Sequence, residues 1–192
     1  MTYIRHSQQF EYDRTGTASS IRSVYSIKRS LVRQYYTKKL STQAREVGEH
    51  FQVNGPSRLS PNAVIGDNVK VNGMEVRGDG YLEIGDNFRS APGCVIVTRN
   101  HNYDNGDAIP YDETYTRKDV VIGDNVWFGV NVIVIPGVKI AEGAIVQAGS
   151  TVVDDVPKGA IVGGHPAKVI SHRDMEHYER LKEQERFVPR SA

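Results

Sequence analysis

Ile122-Gly-Asp-Asn-Val-Trp, Phe128-Gly-Val-Asn-Val-Ile, Val134-Ile-Pro-Gly-Val-Lys, Ile140-Ala-Glu-Gly-Ala-Ile, Val146-Gln-Ala-Gly-Ser-Thr and Val152-Val-Asp-Asp-Val-Pro follow one another without a gap. Each of these six units opens with an apolar residue, and the fifth position is always small or β-branched. No Leu occurs between Val120 and Ile170, whereas Val and Ile recur at nearly every second or third position. A helical core would use Leu freely, so this composition reads as strand. An alternating sandwich requires period two with turns every 8–12 residues. Period six requires something else. One short strand and one bend per unit bring every apolar first residue into a common core. Gly, Asn and Asp supply the bends because they tolerate positive φ. Coils built this way stack at the usual strand spacing and bury each face on the next coil.

Working outward, the tetrad Ile-Gly-Asp-Asn opens units at Ile65 and Ile84 as well as at Ile122. Ile84-Gly-Asp-Asn-Phe-Arg, Ser90-Ala-Pro-Gly-Cys-Val and Ile96-Val-Thr-Arg-Asn-His form one coil of three units. The period then breaks, and residues 102–121 form an insertion that leaves directly after His101. Long loops in compact domains are commonly functional or mobile.

The whole chain has 192 residues, 24 Lys plus Arg against 23 Asp plus Glu, a formal charge of +1 and 39% apolar residues. That length suits one domain with a small extension. The charge balance argues against a dedicated nucleic-acid binder. The single cysteine, Cys94, excludes an intramolecular disulfide framework and a Cys-based zinc site. The first residues carry no apolar signal core, and no apolar run approaches the ~20 residues that span a bilayer. A soluble, cytoplasmic protein is the expectation.

Three segments follow: a basic helical extension over residues 1–52, a β-solenoid over 53–170, and a helix and tail over 171–192. Residues 17–52 read as helical from the spacing of Ile21, Val24, Tyr25, Leu31, Val32, Tyr35 and Tyr36. Eight Lys or Arg and no acid lie between Arg14 and Arg45. The plainer reading is a helix packed across one end of the solenoid, shielding its edge. The alternative is a peripheral membrane contact through residues 17–45.

The stretch Ile122 to Lys168, ending Gly163-Gly-His-Pro-Ala-Lys168, resembles the hexapeptide-repeat acyltransferases. It is most similar to the branch holding sugar, antibiotic, capsule and lipopolysaccharide O-acetyltransferases. The resemblance covers roughly residues 60–170 and implies a left-handed parallel β-helix, to which the residue pattern adds an N-terminal helical extension and a short, charged C-terminal helix over 171–186. It also implies a homotrimer with sites between subunits, acetyl-CoA as acyl donor and a carbohydrate acceptor. The coils offer only His101 where a zinc site on this scaffold needs three histidines, so no metal is expected, and the charge balance speaks against nucleic acid.

By the same resemblance His101 matches the catalytic general base. An alcohol must lose its proton as it attacks a thioester, and imidazole accepts one near neutral pH. Without the family match, a loop histidine bonded to nearby backbone would be the default. Asp79, in Arg77-Gly-Asp-Gly80, aligns with an acceptor-binding acid, and Asn72 lies close to an acceptor-binding Asn. Tyr103 and Tyr115 could stack on a sugar ring or simply cover the solenoid. Trp127 matches a Trp beside the cofactor, with a rim-packed Trp as the alternative. Gly129, Ala148 and Gly149 would let the pantetheine arm approach the backbone, where an N–H could polarise the thioester. Lys158, Lys168 and Arg173, with Lys139, are candidates for the coenzyme phosphates. Lys168 matches the family's own basic position. Asp154-Asp155 departs from the family pattern, which places a cation there. His165, in Gly164-His-Pro166, is a turn residue or a contact to the cofactor tail. Cys94 has no activating partner nearby in sequence, which favours direct transfer.

Ile109-Pro-Tyr-Asp112, after His101, looks like the polysaccharide-modifying branch and points to a capsular or surface glycan. N-acetylation of an amino sugar and O-acetylation of an antibiotic are the other enzymatic readings. A non-catalytic assembly scaffold would keep the hexads but have no use for His101.

Overall fold

The computed structural model describes residues 17–188, with side chains from residue 25 onward. Helix α1 (Thr17–Gln43) leads into the first coil, with β1 (Glu46–Val47) and β2 (Gln52–Val53). The next coils carry β3 (Ala63–Ile65), β4 (Lys70–Val71) and β5 (Glu75–Arg77), then β6 (Leu82–Ile84), β7 (Arg89–Ser90) and β8 (Val95–Val97). A hairpin of β9 (Arg99–His101) and β10 (Tyr115–Arg117) interrupts them. Coiling resumes with β11 (Val120–Ile122), β12 (Trp127–Phe128) and β13 (Ile133–Val134), then β14 (Lys139–Ile140), β15 (Ile145–Val146) and β16 (Thr151–Val152). β17 (Ala160–Gly164) and β18 (Ala167–His172) pair antiparallel at the far end, and α2 (Met175–Glu183) follows.

The strands form three faces of a parallel β-helix. The first holds β1-β3-β6-β11-β14, the second β2-β4-β7-β12-β15-β17-β18 and the third β5-β8-β13-β16. The opening residues of successive units stack in register: Val47 on Ile65, Ile65 on Ile84, Ile84 on Ile122 and Ile122 on Ile140. Their side chains fill the interior, joined by Phe88 and Phe128 edge-to-face at 5.0 Å. The solenoid expected from the period is therefore the fold.

The Ile-Gly-Asp-Asn tetrad has a residue-by-residue explanation at the corner between the first and second faces. Ile points inward. Asp86 Oδ1 accepts from the backbone N–H of Asp67 at 2.7 Å, and Asp124 Oδ1 accepts from that of Asp86 at 2.8 Å. Each carboxylate thus satisfies a donor that the coil beside it leaves open. Gly85 lets this happen, because a Cβ there would meet the Asp124 carboxylate and lie 2.8 Å from its backbone nitrogen. The asparagines take the left-handed conformation (φ 53°, 58° and 60° at Asn68, Asn87 and Asn125) and bond amide to amide at 2.7 and 3.0 Å.

Three boundaries differ from the sequence expectation. The helix ends at Gln43 instead of reaching residue 52, because Val47-Gly-Glu-His-Phe51 already forms a coil turn. Glu49 N–H donates to Asp67 Oδ1 at 2.6 Å, and His50 takes φ 57° like the asparagines stacked beside it. Glu and His disguise the motif. The insertion is a hairpin whose return strand ends at Arg117, so the solenoid resumes at Val120 instead of after residue 121. Residues 171 and 172 belong to β18, and α2 begins only at Met175, where the Asp174 side chain caps it by accepting from His177 N–H at 3.0 Å.

The plainer reading of the basic helix receives direct support. Thr37 Oγ1 accepts from Val53 N–H at 2.9 Å on the edge strand β2, and Leu40 is fully buried against the first coil. At the other end α2 has no buried residue, and a polar clasp holds it instead. Tyr178 O–H donates to Glu142 at 2.9 Å and accepts from Asn125 at 2.9 Å, Lys158 pairs with Glu179 at 2.8 Å, and Lys182 pairs with Glu142. Among the described residues, no helix is long and apolar enough to cross a membrane.

Candidate active site

The hairpin leaves the corner between the third and first faces. Its strands pair Tyr115 with His101 and Arg117 with Arg99. Asp79, in the turn of the coil before, accepts from Arg99 at 3.1 Å and from Arg117 at 2.7 Å, so one carboxylate pins both strands at their base. The Arg117 guanidinium, helped by Arg99, holds the Asp79 carboxyl below the usual carboxylate range despite some desolvation. The Arg99 guanidinium lies 4.1 Å from the Tyr115 ring centre, a cation–π contact. The loop beyond is ordered by its own polar groups. Asp112 accepts from the N–H groups of Thr114 (2.8 Å) and Asp107 (3.0 Å), and Asn102 donates to Thr114 Oγ1 at 3.1 Å.

His101 ends this construction. Its ring stacks on Tyr111 at 3.8 Å and lies against Tyr115 at 4.6 Å. Its Nδ1 is buried and, among the described residues, has no hydrogen-bond partner. A buried polar atom left unpaired costs free energy, so its presence in a folded chain calls for a reason. The imidazole lines a cleft of about 120 Å³ with Tyr103, Lys118 and Pro136. Ring contacts thus hold the imidazole in the wall of that cleft.

His101, Asp79, Tyr103 and Tyr115 are therefore brought to one corner. Asn72 is not. It lies at the corner between the second and third faces, where its carbonyl oxygen accepts from Asn54 at 2.9 Å and its amide donates to the Ser90 carbonyl. That amide belongs to the stacking of coils. Gly129, Ala148 and Gly149 share this corner, and Gly129 is required there: a Cβ would lie 2.6 Å from Ala148 N. Gly149 takes φ 70° with open space beside it. Cys94 donates to the Ala91 and Gly129 carbonyls, both at 3.2 Å, and burial pushes its thiol up. It is packed away from the cleft.

Trp127 stands on the second face, 52% exposed, and lines a cavity of about 370 Å³ beneath α2 together with Arg89, Arg173 and Phe187. No residue of that cavity lines the His101 cleft. Lys158 and Arg173 belong to the α2 clasp: Lys158 bonds Glu142 and Glu179, and Arg173 donates to the Gly143 carbonyl. Lys168 pairs with Asp154 at 2.9 Å on the surface, and Asp155 accepts from Lys139 N–H at 2.8 Å. Both acids of the unusual pair thus have structural partners. His165 Nδ1 lies 2.6 Å from Thr151 Oγ1, in keeping with a turn residue.

Tyr111, Arg99 and Arg117 escaped the sequence reading. The Asp79–Arg117 pairing spans 38 residues and depends on the hairpin register, for which hexad spacing gives no cue. Among the described residues, no cluster of three or more His, Cys, Asp or Glu is arranged to hold a metal ion.

Comparison with known proteins agrees with this architecture. The family described as bacterial transferase hexapeptide (six repeats) matches residues 119–154. Galactoside O-acetyltransferase of Escherichia coli K12 is 33% identical over 138 residues, covering 69% of this chain and 67% of that protein. The Bacillus subtilis protein YvoF, named for acetyltransferase activity, is 52% identical over 68 residues, and the match spans 35% of this chain and only 39% of YvoF. A galactoside acetyltransferase solved in complex with coenzyme A superposes with a TM-score of 0.59 at 25% identity, over 71% of this chain and 70% of that one. With its stacked hexads and a relative matched over two-thirds of its length, the chain belongs to the hexapeptide-repeat acetyltransferase family.

Proposed function

We propose that the protein is an acetyl-CoA-dependent O-acetyltransferase that esterifies a hydroxyl of a carbohydrate, a capsular or surface polysaccharide. The observation that carries this reading is His101: a half-buried imidazole held by Tyr111 and Tyr115, its Nδ1 unpaired among the described residues, where the repeat breaks. The imidazole takes the proton of the acceptor hydroxyl as that oxygen forms a bond to the acetyl carbon. The carbon–sulfur bond breaks, and the coenzyme leaves as a thiol carrying the proton that His101 returns. Direct transfer suits a chain whose one thiol, Cys94, is buried and bonded to backbone carbonyls.

The family resemblance implies a homotrimer, and the layout suits a ring with sites between subunits. His101 stands at the corner opposite the face that carries Trp127, so one chain supplies the two groups to different sides. A neighbouring chain that sets its second face against the hairpin corner completes a site with His101 from one subunit and Trp127 from the next. The glycine and alanine surface of Gly129, Ala148 and Gly149 then offers the pantetheine arm a close approach. Lys168 meets the phosphates by exchanging its exposed partner Asp154, a pair that holds it weakly.

The test is release of free coenzyme thiol from acetyl-CoA with a panel of neutral and acidic oligosaccharides, followed by mild base on the product. Base-labile acetyl on a sugar supports the ester. A base-stable product marks an amide and replaces this reading with N-acetylation. No release with any acceptor removes it.

A further inference from the structure

Helix α1 is built the wrong way round for a helix that only caps a solenoid. An ordinary surface helix turns its apolar stripe to the core and its charges to water. Here Arg29 and Arg33 line a cavity with Gln52 and Lys70 of the second face. Among the described side chains of the helix it is those of the last turns, Tyr36, Thr37 and Leu40, that reach the core and its edge strand. Ile27, Leu31 and Tyr35, at positions i, i+4 and i+8, form one stripe and are 56, 61 and 60% exposed. Exposed lysines rim it. Lys28 and Lys38 flank the stripe, and Lys39 places its Nζ 5.9 Å from the Tyr35 ring centre. The helix holds no Asp or Glu from Thr17 to Gln43.

We propose that this stripe docks the protein on an anionic membrane surface. An apolar ridge rimmed by long cationic side chains complements a bilayer boundary: Ile27, Leu31 and Tyr35 enter the headgroup–acyl region, and the lysines reach out to lipid phosphates. Charge selects this occupant over a second copy of the same stripe, which would bring Lys28 and Lys38 against their own kind. The inference does not rest on the acetyltransferase reading, because it is read from binding alone.

The experiment is co-sedimentation of the full chain with phosphatidylcholine vesicles and with mixed phosphatidylcholine–phosphatidylglycerol vesicles, at low and high salt. The mixed vesicles are expected to carry the protein down at low salt and to release most of it at high salt. Leu31→Glu, at an exposed position, is expected to weaken that binding about tenfold or more, as loss of a leucine-sized apolar contact predicts. Lys28→Glu with Lys38→Glu is expected to remove the salt-sensitive part, and circular dichroism unchanged from the parent confirms folding of each variant. No binding to mixed vesicles, or equal binding by Leu31→Glu, overturns the proposal. A parent assembly that loses mass in solution on Leu31→Glu, without vesicle binding, assigns the stripe to a second copy instead.

Discussion

Two corners of the same solenoid are built to opposite ends. At the corner between the first and second faces, Asp and Asn repeat through the stack, and each polar group is bonded to the neighbouring coil. Asn125 passes the ladder on to Tyr178, Tyr178 to Glu142, and α2 seals the outside. At the corner between the third and first faces the repeat is abandoned. A hairpin projects, its base held by Asp79 between two arginines, and its innermost imidazole keeps a buried nitrogen without a partner among the described residues. The first corner stabilises the fold; the second carries the residues proposed for the chemistry. Substitutions at the sealed corner and in the core should move stability and leave turnover per folded molecule intact, and substitutions at the hairpin corner should do the reverse.

The largest stability effect is expected at Phe88, fully buried against Phe128: Phe88→Ala should cost about 4 kcal/mol by denaturant unfolding. Gly85→Ala follows at about 3 kcal/mol, because the new methyl would meet the Asp124 backbone and carboxylate that satisfy the coil beside it. A neutral result at Gly85 would mean that the coils slide, and the ladder would lose its claim to set their register.

The ladder is also where the sequence was most readable. Its physics is local to six residues, so Ile-Gly-Asp-Asn at Ile65, Ile84 and Ile122 announced both the inward residue and the bend. Where the same turn is spelled Val47-Gly-Glu-His, the backbone bond from Glu49 and the φ of His50 persist, but the residue types that advertise them do not. The helical reading therefore ran past Gln43 to residue 52. The position of His101 at the break could be read from the failure of the period. Its surroundings could not. Tyr111 meets it through a loop folded by Asp112, and Arg117 meets Asp79 through strand register, neither of which has a periodic signature. The clasp on α2 escaped for a related reason, since helix 175–183 is held by charge pairs and one tyrosine in place of an apolar stripe.

At the hairpin corner, Asp79→Asn should lower the unfolding midpoint only slightly, as expected for half-exposed ion pairs, and lower transfer roughly tenfold, by loosening the frame that holds His101. The pH dependence has a definite sign. Asp79 has a folded pKa below its ordinary value, so its contribution is present above the unfolded pKa and is lost as pH falls through the folded one. From about pH 5 upward it adds no pH dependence, and only below about pH 4 should the hairpin base loosen. Amide exchange of Asn100 and Thr116 across that range checks this. The smallest effect is expected at Tyr178→Phe, about 1 kcal/mol of stability with unchanged transfer, because the hydroxyl links Asn125 to Glu142 on the side away from the cleft. A large loss of turnover there would join the two corners functionally and end the contrast between them.

The most direct measurement is the rate of coenzyme thiol release by His101→Ala beside the parent protein, with acetyl-CoA and a responsive glycan acceptor, each normalised to folded protein. A fall of about 10²–10⁴ is the outcome that the proposed general-base role predicts, with the unfolding midpoint and acetyl-CoA binding preserved. Transfer at the parental rate would remove His101 from the chemistry and contradict the assignment of function to the point where the repeat breaks.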